Sequence, residues 1–128
     1  MLTPLLAAAA LAASPPVIHE TFTPLPCPAH PQAQLELAGC AEKAIIATDH
    51  RIDAVNATIF ARLAGRDRAT FVAGERAWLR YRRASCLTAA SKYAGGTLSS
   101  LVDADCVAAR NRIHLREQRS LLHDLRSP

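Results

Sequence analysis

The four cysteines constrain this chain more than any other feature, and two of them bracket its most distinctive stretch. Between Arg76 and Cys106 lie the only Trp (Trp78), both Tyr (Tyr81 and Tyr93), the single Gly-Gly pair (Gly95-Gly96) and two cysteines, Cys86 and Cys106. The stretch reads as the end of one helix, a tight glycine turn and the start of the next helix, with a cysteine on each side. A Cys86–Cys106 bond would close a loop of about twenty residues and contribute roughly 3 kcal/mol by restricting the unfolded chain. Cys27 would then pair with Cys40 and pin the preceding segment to the first helix. Four cysteines allow three connectivities, and the sequence alone does not choose among them, although the local one is favoured.

An even cysteine count points to an oxidising compartment, and the amino terminus agrees. Met1 to Ser14 reads MLTPLLAAAALAAS, an apolar run followed by small residues, with an A-x-A-like cleavage site at Ala10-Leu11-Ala12 and, as an alternative, a cut after Ala13. This is a secretory signal pattern, too short to span a bilayer. No Lys or Arg precedes the apolar run. Pro4, Pro15 and Pro16 bracket it and disfavour a buried helix there. The expected divisions are a signal peptide at 1–13, a proline-rich leader at 14–31 and one helical domain at 32–128. Thr23-Pro24-Leu25-Pro26 is the wrong context for a lipidated Cys27. The expectation is a soluble periplasmic or secreted protein without a transmembrane helix.

The leader carries six prolines between Pro15 and Pro31, so it should be extended, partly disordered, and tied down at Cys27. Beyond it the apolar period is helical. Ile45, Thr48, Ile52, Val55, Ile59 and Leu63 recur at three- and four-residue steps, which predicts a helix over 32–63. Pro31 suits its first position, Gly39 weakens its first turns, and Gly65 stops it. Asp67 is the expected cap of a second helix, to about Ala90, with Phe71, Glu75 or Gly74, Trp78, Tyr81 or Arg82, and Ser85 along one side and Leu79, Cys86 and Ala89 near it. Gly74 costs this helix roughly 1 kcal/mol relative to Ala, and would permit close helix approach. Residues 91–97 form the loop, and Thr97 or Ser99 caps a third helix to about Leu125. Leu101, Ala108, Leu115 and Leu122 fall seven apart there, extended by Val102, Ala109 and Ile113. No stretch alternates at period two. The fold class is therefore all-α: a small, disulfide-stapled three-helix domain.

The net charge of +4 is unevenly spread. Up to Leu63 there are three basic and five acidic residues; beyond it there are twelve basic and six acidic. Such asymmetry suits an anionic partner or a solvated arginine face. No nucleic-acid motif is present, and export disfavours that partner.

Chemistry-bearing constellations are sparse. Cys27-x-x-His30 followed by Cys40 is only part of a zinc site, with no second pair to complete it, so neither a metal nor a cofactor is expected. His50, His114 and His123 lack a neighbouring activated nucleophile. Ser99-Ser100 has no preceding strand and is not a nucleophile elbow. Glu75 and Glu117 could meet as a carboxylate pair, but surface charges bound to arginines are the commoner fate. Gly95-Gly96-Thr97 lacks the Lys and the spacing of a phosphate loop and reads as a turn. Asn56-Ala57-Thr58 is an incidental acceptor sequence in mid-helix. The chain is not expected to be an enzyme. Arg82, four residues after Trp78, should lay its stem on the indole.

Taken in order, these pieces resemble a known family. An early Cys, then Gln34-Leu35-Glu36 and Cys40, is similar to the start of the LprI-like (lysozyme inhibitor-type) domain. So are Arg76-Ala77-Trp78 running through Tyr81-Arg82 to Cys86, then Tyr93-x-Gly95-Gly96-Thr97, Cys106 and Leu115-x-Glu117-x-Arg119. The resemblance spans about Cys27 to Leu125. It implies a small exported helical protein that inhibits lysozyme or a related cell-wall hydrolase. The alternative is an envelope module that binds an anionic polymer or a protein partner without such inhibition. On the first reading the partner contact is the turn, with Tyr93, Gly95 and Gly96, and the arginine-bearing end of helix two, with Arg82 and Arg83. Trp78 and Arg119 are expected to be structural. The chain departs from the family pattern Arg-Asp-Ala-Glu-Cys at Arg83 and Ser85, where two acidic positions are lost.

Overall fold

The computed structural model describes residues 14–22 and 24–128. Residues 1–13, expected to be a signal peptide, lie outside the described residues. Three helices account for the domain: α1 (Gln34–Arg62), α2 (Arg66–Ser91) and α3 (Thr97–Arg126). No strand occurs among the described residues. Both disulfides follow the local pairing, Cys27–Cys40 with Cα atoms 4.7 Å apart and Cys86–Cys106 at 5.5 Å.

The helix ends follow different local chemistry from that expected. Pro31 does not open α1; Ala33 is at the cap. Glu36 reaches back to accept hydrogen bonds from the backbone N–H groups of Gln32 (2.9 Å) and Ala33 (3.1 Å). That is the acidic half of a capping box, and those N–H groups hold the Glu36 carboxyl below its ordinary value. Asp67 lies inside the first turn of α2, with Gly65 at the cap in place of a side-chain acceptor. Gly65 has φ +53°, the left-handed conformation that glycine adopts cheaply. At the same corner Arg68 Nε donates to the carbonyls of Phe60 (3.1 Å) and Leu63 (2.7 Å). Its guanidinium also lies 4.4 Å from the Phe60 ring centroid. One side chain thus satisfies the Leu63 carbonyl and adds a second donor to that of Phe60, which already accepts the Leu63 N–H.

Helices α1 and α3 run parallel and in register. Gln34 meets Thr97, and Thr48 meets Asn111, each pair 63 residues apart in sequence. The same offset relates Ile45, Ile52 and Ile59, all fully buried, to Ala108, Leu115 and Leu122 on α3. The seven-residue spacing on both helices keeps these stripes facing each other along their length. Helix α2 returns antiparallel: Cys86 joins Cys106, and Glu75 reaches His114 and Gln118.

Of the expected alternatives, the buried side of α2 takes Glu75 and Arg82 rather than Gly74 and Tyr81, with Cys86 beside them. Val72, Glu75, Arg82, Cys86 and Ala90 are buried, whereas Tyr81 is 52% exposed. Ile113 is likewise exposed rather than part of the α3 stripe. Gly74 is exposed, and a Cβ added there would meet no other atom within 4 Å, so no close approach depends on it. Gly39 is the glycine that matters. A Cβ there would overlap the carbonyl oxygen of Pro26 and sit 2.8 Å from that of Leu25. The absence of a Cβ at Gly39 lets the leader lie directly on α1, one position before Cys40 anchors it.

The leader is held along its length rather than only at Cys27. The Ile18 N–H donates to Asp53 Oδ1 on α1 (3.0 Å), and Glu20 reaches Arg82 on α2 (2.6 Å). Phe22 and Leu25 pack on the cluster formed by Ala38, Ile45, Cys86, Ala104, Val107 and Ala108.

Candidate functional site

Each helix contributes two polar residues seven positions apart to the interior: Asp49 and Asn56, Glu75 and Arg82, Asn111 and Gln118. They form two polar layers about 10 Å apart along the bundle.

In the first layer Arg82 is completely buried. Its Nη1 donates to Asp49 Oδ1 (2.8 Å) and Asn111 Oδ1 (2.6 Å), and its Nη2 to Glu20 Oε2 (2.6 Å). Asn111 in turn donates to Asp49 Oδ1 (2.8 Å) and Thr48 Oγ1 (2.9 Å). Leader, α1, α2 and α3 thus converge on one guanidinium. This corrects the expectation that Arg82 contacts a partner: two carboxylates draw it inward, and its charge is unavailable at the surface. The guanidinium carbon does lie 5.3 Å from the Trp78 ring centroid, as the four-residue spacing predicts. Beside this layer, burial and then the Glu20 carboxylate push the Asp103 carboxyl above its ordinary value, against the opposing pull of Arg82.

In the second layer Glu75 Oε2 accepts from Asn56 Nδ2 (2.7 Å) and pairs with His114 Nε2 (2.9 Å). Gln118 Nε2 donates to Glu75 Oε1 (3.0 Å) and Asn56 Oδ1 (2.7 Å). The His114 ring stacks on Trp78, centroids 3.7 Å apart and planes 9° from parallel. Glu117 Oε2 lies 3.6 Å from the other ring nitrogen. Glu75 and Glu117 therefore flank a histidine from opposite sides instead of facing each other as an acid–base pair. Asn56 is buried within this layer, which closes it to modification.

A cavity of about 340 Å³ lies beneath residues 14–19, with Asp53, Asn56, Val72, Glu75 and Leu79 among its lining. Of its polar wall, Asn56 and Glu75 are engaged in the second layer and Asp53 with the Ile18 N–H. Burial raises the Asp53 carboxyl, while the Ile18 N–H acts in the opposite direction.

The turn between α2 and α3 is the structured feature that faces outward. The N–H groups of Tyr93, Ala94 and Gly96 donate to the carbonyls of Ala90 (2.9 Å), Ser91 (3.2 Å) and Tyr93 (3.2 Å). Gly95 takes φ +87°, which explains one glycine of the pair; Gly96 stands at the cap of α3. Thr97 Oγ1 donates to Gln34 Oε1 (2.5 Å), tying the turn to the start of α1. The Cys86–Cys106 bond braces it from below. Lys92, Ala94, Gly95 and Gly96 are exposed, and Tyr93 is half-buried with Lys92 Nζ 5.7 Å from its ring centroid. Arg83 is exposed on α2, its Nη2 3.9 Å from Glu20 Oε1. Trp78 is half-buried between His114 and Arg82. Arg119 is exposed, roughly 30 Å along α3 from the turn at 1.5 Å per residue, rather than built into the core. Tyr93, Gly95 and Gly96 are thus brought together, while Arg83 stands apart on α2 and Arg119 near the far end of α3.

Sequence reasoning does not find the interior roles of Glu20, Asp49, Asn111, His114 and Gln118. The signal is present as polar residues repeating at seven on each helix, inside the turns that carry the apolar stripe. No group of three or more His, Cys, Asp or Glu suited to a metal ion occurs among the described residues.

No curated protein and no solved structure matches the chain significantly. The family described as lysozyme inhibitor LprI matches residues 27–117, from the first cysteine through both disulfides to Glu117. The chain belongs to the LprI lysozyme-inhibitor family.

Proposed function

We propose that this protein is an exported binding protein that inhibits lysozyme or a related cell-wall hydrolase through the turn joining α2 and α3. The observation that carries this reading is the bracing of that turn. A disulfide and the Thr97–Gln34 bond hold it, while its tip is exposed. A projecting turn already fixed in one conformation loses little entropy on entering a cleft. Tyr93 supplies an amphipathic ring there and Lys92 a cation for a cleft lined by carboxylates, while Arg83, farther back along α2, would meet a larger partner outside the turn.

Family membership supports the class of target. Two disulfides support an oxidising compartment, in keeping with a secretory leader. No helix among the described residues is long and apolar enough to cross a membrane. The net charge of +4 gives no long-range attraction to a basic lysozyme, so affinity would rest on close contact.

The test is inhibition by Tyr93→Ala and Arg83→Ala variants whose thermal unfolding matches the parent. Loss of a contact at the centre of an interface should raise the inhibitory concentration about tenfold. Unchanged inhibition by both variants rejects this surface.

A further inference from the structure

Folding leaves a row of arginines exposed on α3. Arg112, Arg116, Arg119 and Arg126 are all at the surface, with His123 between the last two. Their steps of four, three, four and three residues put them on one side of the helix, in a line about 21 Å long. None of the four arginines lies within 4.0 Å of a carboxylate among the described residues. Five acidic residues are engaged elsewhere, and Glu117 and Asp124, exposed on α3, lie off the row. Glu20 and Asp49 are held by the buried Arg82, Glu75 by the second polar layer, Glu36 by the start of α1 and Asp53 by the leader.

We infer that this face of α3 is a docking strip for a linear acidic polysaccharide. Arginine forks recognise oxyanions in two-point fashion, and a row of them one side chain wide suits a single extended chain. The strip contains no Trp, Tyr or Phe on which bases could stack, which argues against single-stranded nucleic acid. The exposed apolar side chains of this helix, Ile113, Leu121 and Leu125, lie off the row and do not form one face with it, which argues against a membrane surface. The strip lies away from the α2–α3 turn, so this inference does not depend on the turn acting as an inhibitory contact.

The experiment uses the oxidised protein and heparin, a sulfated linear polysaccharide, as probe, with a single-stranded oligonucleotide and anionic phosphatidylglycerol vesicles as comparison arms. Binding to heparin should weaken steeply as salt rises, because each contact releases bound counterions. An Arg112→Ser/Arg119→Ser double variant should weaken it by about tenfold or more and flatten the salt dependence by roughly half. An Arg76→Ser/Arg80→Ser variant removes the same charge from exposed positions on α2 and should leave most of the binding intact. Equal losses in both double variants would mean a diffuse charge effect and overturn the strip. Tighter binding to the oligonucleotide or the vesicles than to heparin would overturn the polysaccharide assignment. The α3 variant should retain its thermal stability, which separates loss of the strip from loss of the fold.

Discussion

Arg82 on α2 donates to Asp49 on α1 at 2.8 Å, and both side chains are buried. The pair organises the domain because the same guanidinium also holds Glu20 of the leader and Asn111 of α3. Buried ion pairs contribute little net stability compared with a well-packed apolar replacement, yet breaking one is costly because its partner is stranded. Removing Arg82 would strand two carboxylates. Arg82→Leu should therefore destabilise the domain by about 3–5 kcal/mol in chemical denaturation. Adding Glu20→Gln and Asp49→Asn to Arg82→Leu should recover part of the loss. No recovery would mean that the arginine acts through packing and not charge.

Gly39 and Gly74 are both helix-interior glycines with opposite expected responses to Ala. A Cβ at Gly39 would overlap the Pro26 carbonyl, whose backbone is tethered one residue away by Cys27–Cys40. Gly39→Ala should destabilise by about 1–3 kcal/mol, the usual range for overpacking. Gly74 is exposed and open, so Gly74→Ala should stabilise by roughly 1 kcal/mol through helix propensity alone. Thermal melts of the two variants check both signs.

Trp78 is stacked on His114 at 3.7 Å but only half-buried. Trp78→Ala should cost about 3 kcal/mol, the lower end of the range for large aromatic truncations. A denaturation midpoint unchanged by the substitution would contradict the structural role of the stack.

Asp103 gives a pH signature. Its folded-state pKa is raised above the ordinary 3.8, chiefly by burial. The folded protein therefore holds that proton more tightly than the unfolded chain. The resulting stability is present below the ordinary value and is lost as pH rises through the folded-state value. Asp103→Asn removes the penalty of the buried charge, so it should raise the melting temperature at neutral pH. The advantage should shrink toward zero in acid. An advantage that grows in acid would reverse the assignment.

The helices are legible in the sequence because their stripes repeat at the helical period over many turns, and the in-register isoleucines of α1 carry the clearest signal. The local disulfide pairing is favoured because a short glycine turn brings Cys86 and Cys106 together. The interior polar layers are harder to read, although Asn111 and Gln118 sit seven apart between the apolar positions of α3. A polar residue near a buried stripe looks like its solvent border until its partners on two other helices are known. Arg82 reads as a surface contact for that reason: its pairing with Glu20 links positions 62 residues apart. Gly39 looks like a helix breaker because the chain that lies against it comes from outside the helix. The turn residues are legible as a turn, since Gly95 supplies the positive φ that the turn needs.

The most direct measurement is a cell-wall lysis assay with the purified, oxidised protein against several lysozymes, at low and moderate salt. The account predicts dose-dependent inhibition that changes little with salt and disappears when the two disulfides are reduced, because the turn loses its brace. A folded, oxidised protein that inhibits none of the lysozymes would contradict the inhibitor reading while leaving the helical fold in place.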